Sequence, residues 1–311
     1  MRAWIVCLGL SGCIIVVHDD KVTTDDTGLQ CGSTQGFVFG TVFDPDGVTP
    51  VQGATVWADD GASTPIQTLT DSDGKYELNL SGGVEWIIDA SYQPDEFTDC
   101  IAEDLVLTVE ACEEYPHDFS FEECLTADKP NLYLYPAQDT PTAVRLELAP
   151  RQSVVASAPP YRGAWRGVAH PDGTFSVGSE RAPFLFYEVS LTPAQGKRLQ
   201  REEGWCLPAE GAVDAMAEIL GTYGFDARER DDFVDAWVHD LPSADGYAVY
   251  PQAEVAPYAG LHIQPALPVH RLWLLVADGA GCGPMPEPVV VPFDREGAHG
   301  VEWGVVVEGL K

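Results

Sequence analysis

The chain has 311 residues, enough for two ordinary domains or one large one. Its formal charge is -32, from 17 Lys and Arg against 49 Asp and Glu, which argues against a protein that grips nucleic acid or adsorbs to anionic lipid through clustered basic residues. Hydrophobic residues make up 45%, which supports a real core and excludes wholesale disorder.

The chain opens MRAWIVCLGLSGC, with one positive charge at Arg2 and an uncharged run to Val17, closed by His18-Asp19-Asp20. Residues 3–17 are too few to cross a bilayer as a helix, which takes roughly 20, so an export signal is expected over 1–12. Leu10-Ser11-Gly12-Cys13 resembles the bacterial lipoprotein processing box in all four positions. The resemblance implies that Cys13 becomes the first mature residue and carries the lipid. Ile14 rather than Asp behind it resembles the pattern for outer-membrane sorting. The expectation is an outer-membrane lipoprotein, periplasmic or surface-facing, with the membrane as a partner through lipidated Cys13. An ordinary secreted protein is the alternative.

With Cys7 in the leader and Cys13 assigned to lipid, Cys31, Cys100, Cys112, Cys124, Cys206 and Cys282 remain. The set is even and lacks CxxC or zinc-finger spacing. Disulfides account for it in an oxidising compartment, and pairing neighbours along the chain would join 31–100, 112–124 and 206–282. Free buried thiols are the alternative. Residues 13–35 are polar, with little apolar content to bury, and are expected to be a flexible tether.

From Phe37 the texture changes to short β-type runs at 37–43, 54–58, 66–70, 76–80, 84–92 and 104–110, separated by Asp-Gly turns. Tyr76, Leu78 and Leu80 alternate with Glu77 and Asn79, one face buried and one wet. An antiparallel sandwich is expected over 36–121. Gly40-Thr41-Val42 before a DPDG turn, Pro50-Val51-Gln52-Gly53-Ala54, and Thr70-Asp71-Ser72-Asp73-Gly74-Lys75-Tyr76 together resemble the carboxypeptidase regulatory-like domains. That resemblance implies a transthyretin-like sandwich that is noncatalytic, suited to display, stabilisation or binding. Asp44, Asp46, Asp71 and Asp73 are the candidates for a bound Ca²⁺, which takes six to eight oxygen ligands. The competing reading is that Asp and Gly simply build turns. No other cofactor is expected.

Residues 122–130 read as a linker, although Phe119 and Phe121 could close the sandwich. Of the acidic residues, 25 lie in 14–128 against two Lys, while 24 lie beyond it against 14 Lys and Arg. The excess negative charge belongs to the first unit, as in a solvated stem.

Residues 131–311 are expected to form an α+β domain, with mainly antiparallel sheet and two helices. Strand runs fall at 131–135, 142–148, 153–158, 164–169, 174–177, 183–190, 246–250, 269–276, 289–291 and 301–307. Between them Val213, Met216, Ala217, Leu220 and Tyr223 form one helical stripe, stopped by Gly224. Asp226 caps a second helix with Phe233, Val234, Trp237, Val238 and Leu241 on its stripe, closed by Pro242. The opening Lys129–Pro136, the segment around Trp165 and Asp172-Gly173, Phe184–Glu188 and Val301–Gly304 resemble a set of bacterial proteins with a KPxxYLYP opening. That resemblance supports one defined domain and transfers no activity.

No HExxH, GxSxG or phosphate-cradling glycine loop is present. Glu188 and Glu302 are the candidate catalytic carboxylates, since each interrupts an aromatic, apolar segment. A pair in a cleft could do acid–base work. A buried Glu paired with Arg166, Arg181 or Arg271 is the structural alternative. The many Trp and Tyr residues either fill the core or line a groove for a glycan or protein ligand. The expected function is therefore a binding or structural role in the envelope, with a hydrolase acting on glycan or peptide through the distal domain as the alternative.

Overall fold

The computed structural model describes residues 34–93, 100–121, 125–150 and 152–308 in full; before them it describes only the backbone pairing of Trp4–Val6 with Ile14–Val16. Cys13, Cys31 and Cys124 lie outside the described residues, as does the tether from 17 to 33. No helix among the described residues is long and apolar enough to cross a membrane.

The first unit is all strand. In one sheet Gln35–Phe43 pairs antiparallel with Lys75–Ser81 and parallel with Glu114–Pro116 and Phe119–Ser120. In the other, Ile66–Leu69, Thr55–Asp59 and Val84–Tyr92 lie side by side, with Cys100–Ile101 and Leu105–Val109 on the far edge of Val84–Tyr92. Val38, Val56, Leu78, Leu80, Trp86, Ile88, Phe119 and Phe121 share one core between them. The expected alternation holds: Tyr76, Leu78 and Leu80 are buried and Glu77 and Asn79 exposed. Gly74 has φ +73, and a Cβ there would lie 2.7 Å from the Pro50 ring and 2.9 Å from the Val42 carbonyl. Only glycine fits that turn.

The second unit is a mixed α+β region in three layers. Its central sheet runs, in order, Val154–Ala158, Leu185–Ser190, Thr126–Tyr135, His299–Glu308, Val269–Asp278, Gly246–Gln252 and Trp205–Pro208. All pairs are antiparallel except Val269–Asp278 with His299–Glu308. The central strands read as nearly continuous apolar runs because both faces are covered. On one face Met216, Leu220, Phe233 and Trp237 of the helices Ala212–Tyr223 and Ala227–Trp237 pack on Tyr133, Trp303 and Leu274. On the other face Leu132, Tyr187 and Trp273 pack against Val144, Leu146, Trp165 and Phe175 of a second, five-stranded sheet.

Helix ends follow local chemistry. Gly224 takes φ +106 and stops the first helix. Asp226 and Glu229 exchange side-chain bonds with each other's backbone N–H, a capping box that starts the second. That helix ends at Trp237, so Val238, expected on its buried stripe, is 52% exposed.

Other differences are long-range in origin. The strand Thr126–Tyr135 takes in residues 126–130 of the expected linker, because Thr126 and Ala127 already pair with Ser190 and Val189. Trp205–Pro208, Gly260–Gln264 and Glu180–Ala182 are short strands defined by their partners. Residues 289–291 form no strand despite their β-branched run: Pro286, Pro288 and Pro292 remove ladder donors around them.

Cys206 and Cys282 form a disulfide with Cα atoms 6.0 Å apart, the pair that neighbour pairing expects. Cys100 and Cys112 are also disulfide-bonded.

Candidate functional site

Glu302 lies on the face of the central sheet that meets the five-stranded sheet, and no part of it is exposed. Its register partner on the parallel neighbour is Arg271. Arg271 donates to Glu302 Oε1 from Nε at 3.0 Å and from Nη2 at 2.7 Å, and the Trp273 indole donates to the same oxygen at 2.9 Å. The Tyr187 hydroxyl donates to Oε2 at 3.0 Å and accepts from Arg271 Nη2 at 3.0 Å. Arg271 Nη1 reaches the Ala259 carbonyl. Burial and then the Glu302 charge push the Tyr187 phenol well above its ordinary value. Burial, the largest single effect, would lower Arg271, but the Glu302 charge, Tyr187 and the hydrogen bonds to both together outweigh it and hold the guanidinium above its usual range. A carboxylate whose two oxygens are already committed to Arg271, Trp273 and Tyr187 is a structural tie.

Glu188 follows Tyr187 on the same strand, so it projects from the opposite face of the sheet. The two candidate carboxylates therefore do not share a cleft. Glu188 instead neighbours Asp128, beside a bulge between Asp128 and Asn131 where Lys129 takes φ +53. Burial, then the Glu188 charge, pushes the Asp128 carboxyl up to about 8 against the pull of Lys129. Burial likewise raises Glu188, opposed by Lys129. The Lys129 ammonium ion-pairs with Asp240, donates to the Ala236 carbonyl at 2.8 Å, and lies 4.9 Å from the Trp237 ring centre. It thereby ties the bulge to the end of the second helix.

The acidic turns spend their oxygens locally. Asp46 accepts from the Val48 and Thr49 backbone and the Thr49 hydroxyl; these bonds, the hydroxyl's first, lower its carboxyl. Asp71 accepts from the Asp73 and Lys75 backbone, Lys75 first in effect, with the same result. Asp44 closes its turn through its own backbone, and Asp73 stands exposed 4.0 Å from Lys75. No group of three or more His, Cys, Asp or Glu among the described residues is placed to hold a metal. Trp86, Trp165, Trp237, Trp273 and Trp303 are buried, while Trp57 and Trp205 are half-buried. Most of the tryptophan content is core.

A cavity of about 840 Å³ opens at one end of the central sheet. Tyr223, Tyr258, Phe293 and Arg271 contribute to its walls and floor, Arg198 and Glu254 to its charged lining. One wall is the connection 279–298 between the two parallel strands, a place usually taken by a crossover helix. Here residues 283–296 form neither helix nor strand. It is fixed at both ends. The Cys206–Cys282 disulfide holds its start, and Gly204 N–H donates to the Pro286 carbonyl at 3.0 Å. Phe293 N–H donates to the Tyr223 carbonyl at 3.0 Å, and its ring stacks on His270 at 4.6 Å. Arg295 then grips Glu229 with both Nη atoms at 2.8 and 2.9 Å, and Asp226 at 3.1 Å. The Tyr135 hydroxyl donates to the same Glu229 at 2.6 Å. Between these anchors Val289 and Val291 line the cavity and are 83% and 73% exposed. The strap is not legible in the sequence as such because its valines look like a buried strand; the spacing of Pro286, Pro288 and Pro292 is the one signal against that.

No protein-family model matches the chain, and no curated protein matches it in sequence. Solved structures give partial likenesses. The shaft pilin SpaA of Lactobacillus rhamnosus GG is 10% identical, over 48% of this chain and 81% of its own, with a TM-score of 0.24. The full-length major pilin SpaD of Corynebacterium diphtheriae is 11% identical, over 53% of each chain, with a TM-score of 0.22. A DUF3823 family protein from Parabacteroides merdae is 10% identical, over 50% of this chain and 96% of its own, also at 0.22. Likenesses at these scores carry no argument about function.

Proposed function

We propose that this chain is an exported envelope lipoprotein, anchored through Cys13, whose distal domain binds an extended polypeptide segment at the strap-walled cleft. The observation that carries the reading is the strap itself: a segment without helix or strand, fixed at both ends, whose exposed Val289 and Val291 line the cavity. Pro286, Pro288 and Pro292 confine backbone pairing to the few residues between them. An extended partner could pair there and seat its side chains against Tyr223 and Phe293, as strand addition does at open edges. Apolar walls within a charged lining are also ordinary interface anatomy. The Leu10-Ser11-Gly12-Cys13 box supports the anchor, and the disulfides support an oxidising compartment. The N-terminal unit serves as an acidic spacer of the carboxypeptidase regulatory-like type, as its turn motifs suggest.

A hydrolase is the weaker reading. Its best support is the raised Asp128 beside Glu188, but neither carboxylate lines the cleft. The test is equilibrium binding of the purified chain to a library of extended envelope-protein peptides, with Val289→Asp/Val291→Asp as control. Binding lost in the double variant, with peptides recovered intact, supports the proposal. Turnover of the peptides would replace it with the hydrolase reading.

A further inference from the structure

The outer face of the five-stranded sheet carries a feature at odds with the charge of the chain. Val144, Leu146, Trp165 and Ile263 point inward to the core, so the alternate residues point out. Register places Ala143 between Arg166 and Gln264, and Arg145 directly opposite His262. The small residues Ala143, Gly163 and Ala164 leave a hollow of about 470 Å³, bordered by Arg145, Arg162, Arg166 and His262. No Asp or Glu lines it, in a chain with 49 acidic residues against 17 Lys and Arg.

The arginines are also available. Arg162 and Arg166 are exposed and make no ion pair or side-chain hydrogen bond among the described residues. Arg145 meets Glu147 at 2.8 Å, but both side chains are more than half exposed, so the pair is weak and exchangeable. Guanidinium forks match carboxylate and phosphoryl oxygens bidentately. The negative field of the rest of the chain is screened beyond about 8 Å at physiological salt, whereas contact with the forks is not.

We propose that this hollow is a binding site for a small polyanion bearing two or more phosphoryl or carboxylate groups. It shares no lining residue with the cleft and does not depend on the peptide-binding reading. Arg162 and Arg166 supply the free forks, Arg145 joins them on release from Glu147, and His262 and Gln264 add side-chain donors.

Calorimetric titration of the full chain with pyrophosphate and with citrate at physiological salt, where the field of the chain is screened, tests this. A vesicle arm containing cardiolipin, whose headgroup carries two phosphates, separates a headgroup source from a free anion. The expected result is saturable binding of at least one probe, weakened at least about tenfold in Arg162→Gln/Arg166→Gln, since charge-assisted bonds are the strong ones. Glu147→Gln should tighten it by freeing Arg145, a gain that a purely structural role would not produce. Binding seen only on the vesicles, and lost in the double variant, keeps the site and assigns it a headgroup. Absence of binding in every arm, or binding unchanged in the double variant, overturns the proposal. The substituted arginines are exposed and unpaired, so an unchanged melting temperature verifies that folding is intact.

Discussion

Arg271 and Glu302 are register partners on the two parallel strands at the centre of the distal sheet, and their side chains join at 2.7 Å in the inter-sheet core. Arg271 also lines the floor of the cleft, so the ion pair supports the surface on which a ligand would rest. Glu302→Gln leaves a buried guanidinium without a counter-charge and is expected to cost about 3–5 kcal/mol. Arg271→Met/Glu302→Leu should cost less than the single change, because the pair's desolvation penalty disappears with it. Urea denaturation of the three proteins checks this; a near-neutral Glu302→Gln would show that the pair is not a structural tie.

Asp128 gives a pH dependence with a defined sign. Its carboxyl rises from 3.8 to about 8, through burial first and Glu188 second. Between those values the folded chain keeps a proton that the unfolded chain has released. Its contribution to stability is therefore complete below about pH 4, falls as pH rises, and is lost above about pH 8. Asp128→Asn should match the parent near pH 4 and exceed it at pH 9 by at least about 1 kcal/mol. Equal urea midpoints at pH 9 would contradict the burial of that carboxyl.

The disulfide both stabilises the domain and fixes the start of the strap. Cys206→Ser/Cys282→Ser should cost about 2–4 kcal/mol and create a protease-sensitive site within 283–292. Limited proteolysis with mass mapping reads the second effect. Unchanged cleavage there would mean that the hydrogen bond from Gly204 to Pro286 holds the strap without the disulfide.

Local chemistry was legible in the sequence, and long-range register was not. Gly224 and Asp226 mark the helix boundary through a positive φ and a capping box, effects confined to a few residues. Tyr76, Leu78 and Leu80 declare their face by alternation alone. The sequence offers three arginines as partners for Glu302, but only the parallel register selects Arg271. Arg145 and His262 lie 117 positions apart, and nothing near either residue signals that they oppose each other. The valines of the strap misled because β-branched side chains suit strands, while the absence of a pairing partner is a tertiary fact.

Arg295 pins the other end of the strap to Glu229, which is fully buried. Arg295→Met should cost about 3–5 kcal/mol by stranding that carboxylate. Arg295→Lys should cost less, since it keeps the charge and loses the fork. Thermal and urea unfolding distinguish the two, and equal losses would place the effect in packing rather than charge.

The proposed anchor is tested separately, by metabolic labelling with a lipid precursor followed by fractionation. The parent should carry label in the membrane fraction, and Cys13→Ser should lose both label and membrane association. Equal labelling of the two would remove the lipid from Cys13.

Binding without cleavage at the cleft is tested most directly by hydrogen exchange on the full chain, with and without the tightest peptide from the library. Exchange should slow at 289–293 and around Tyr223 and Tyr258, the peptide should be recovered whole, and Val289→Asp/Val291→Asp should abolish the protection. Protection elsewhere, or a cleaved peptide, would contradict a binding role for the strap-walled cleft.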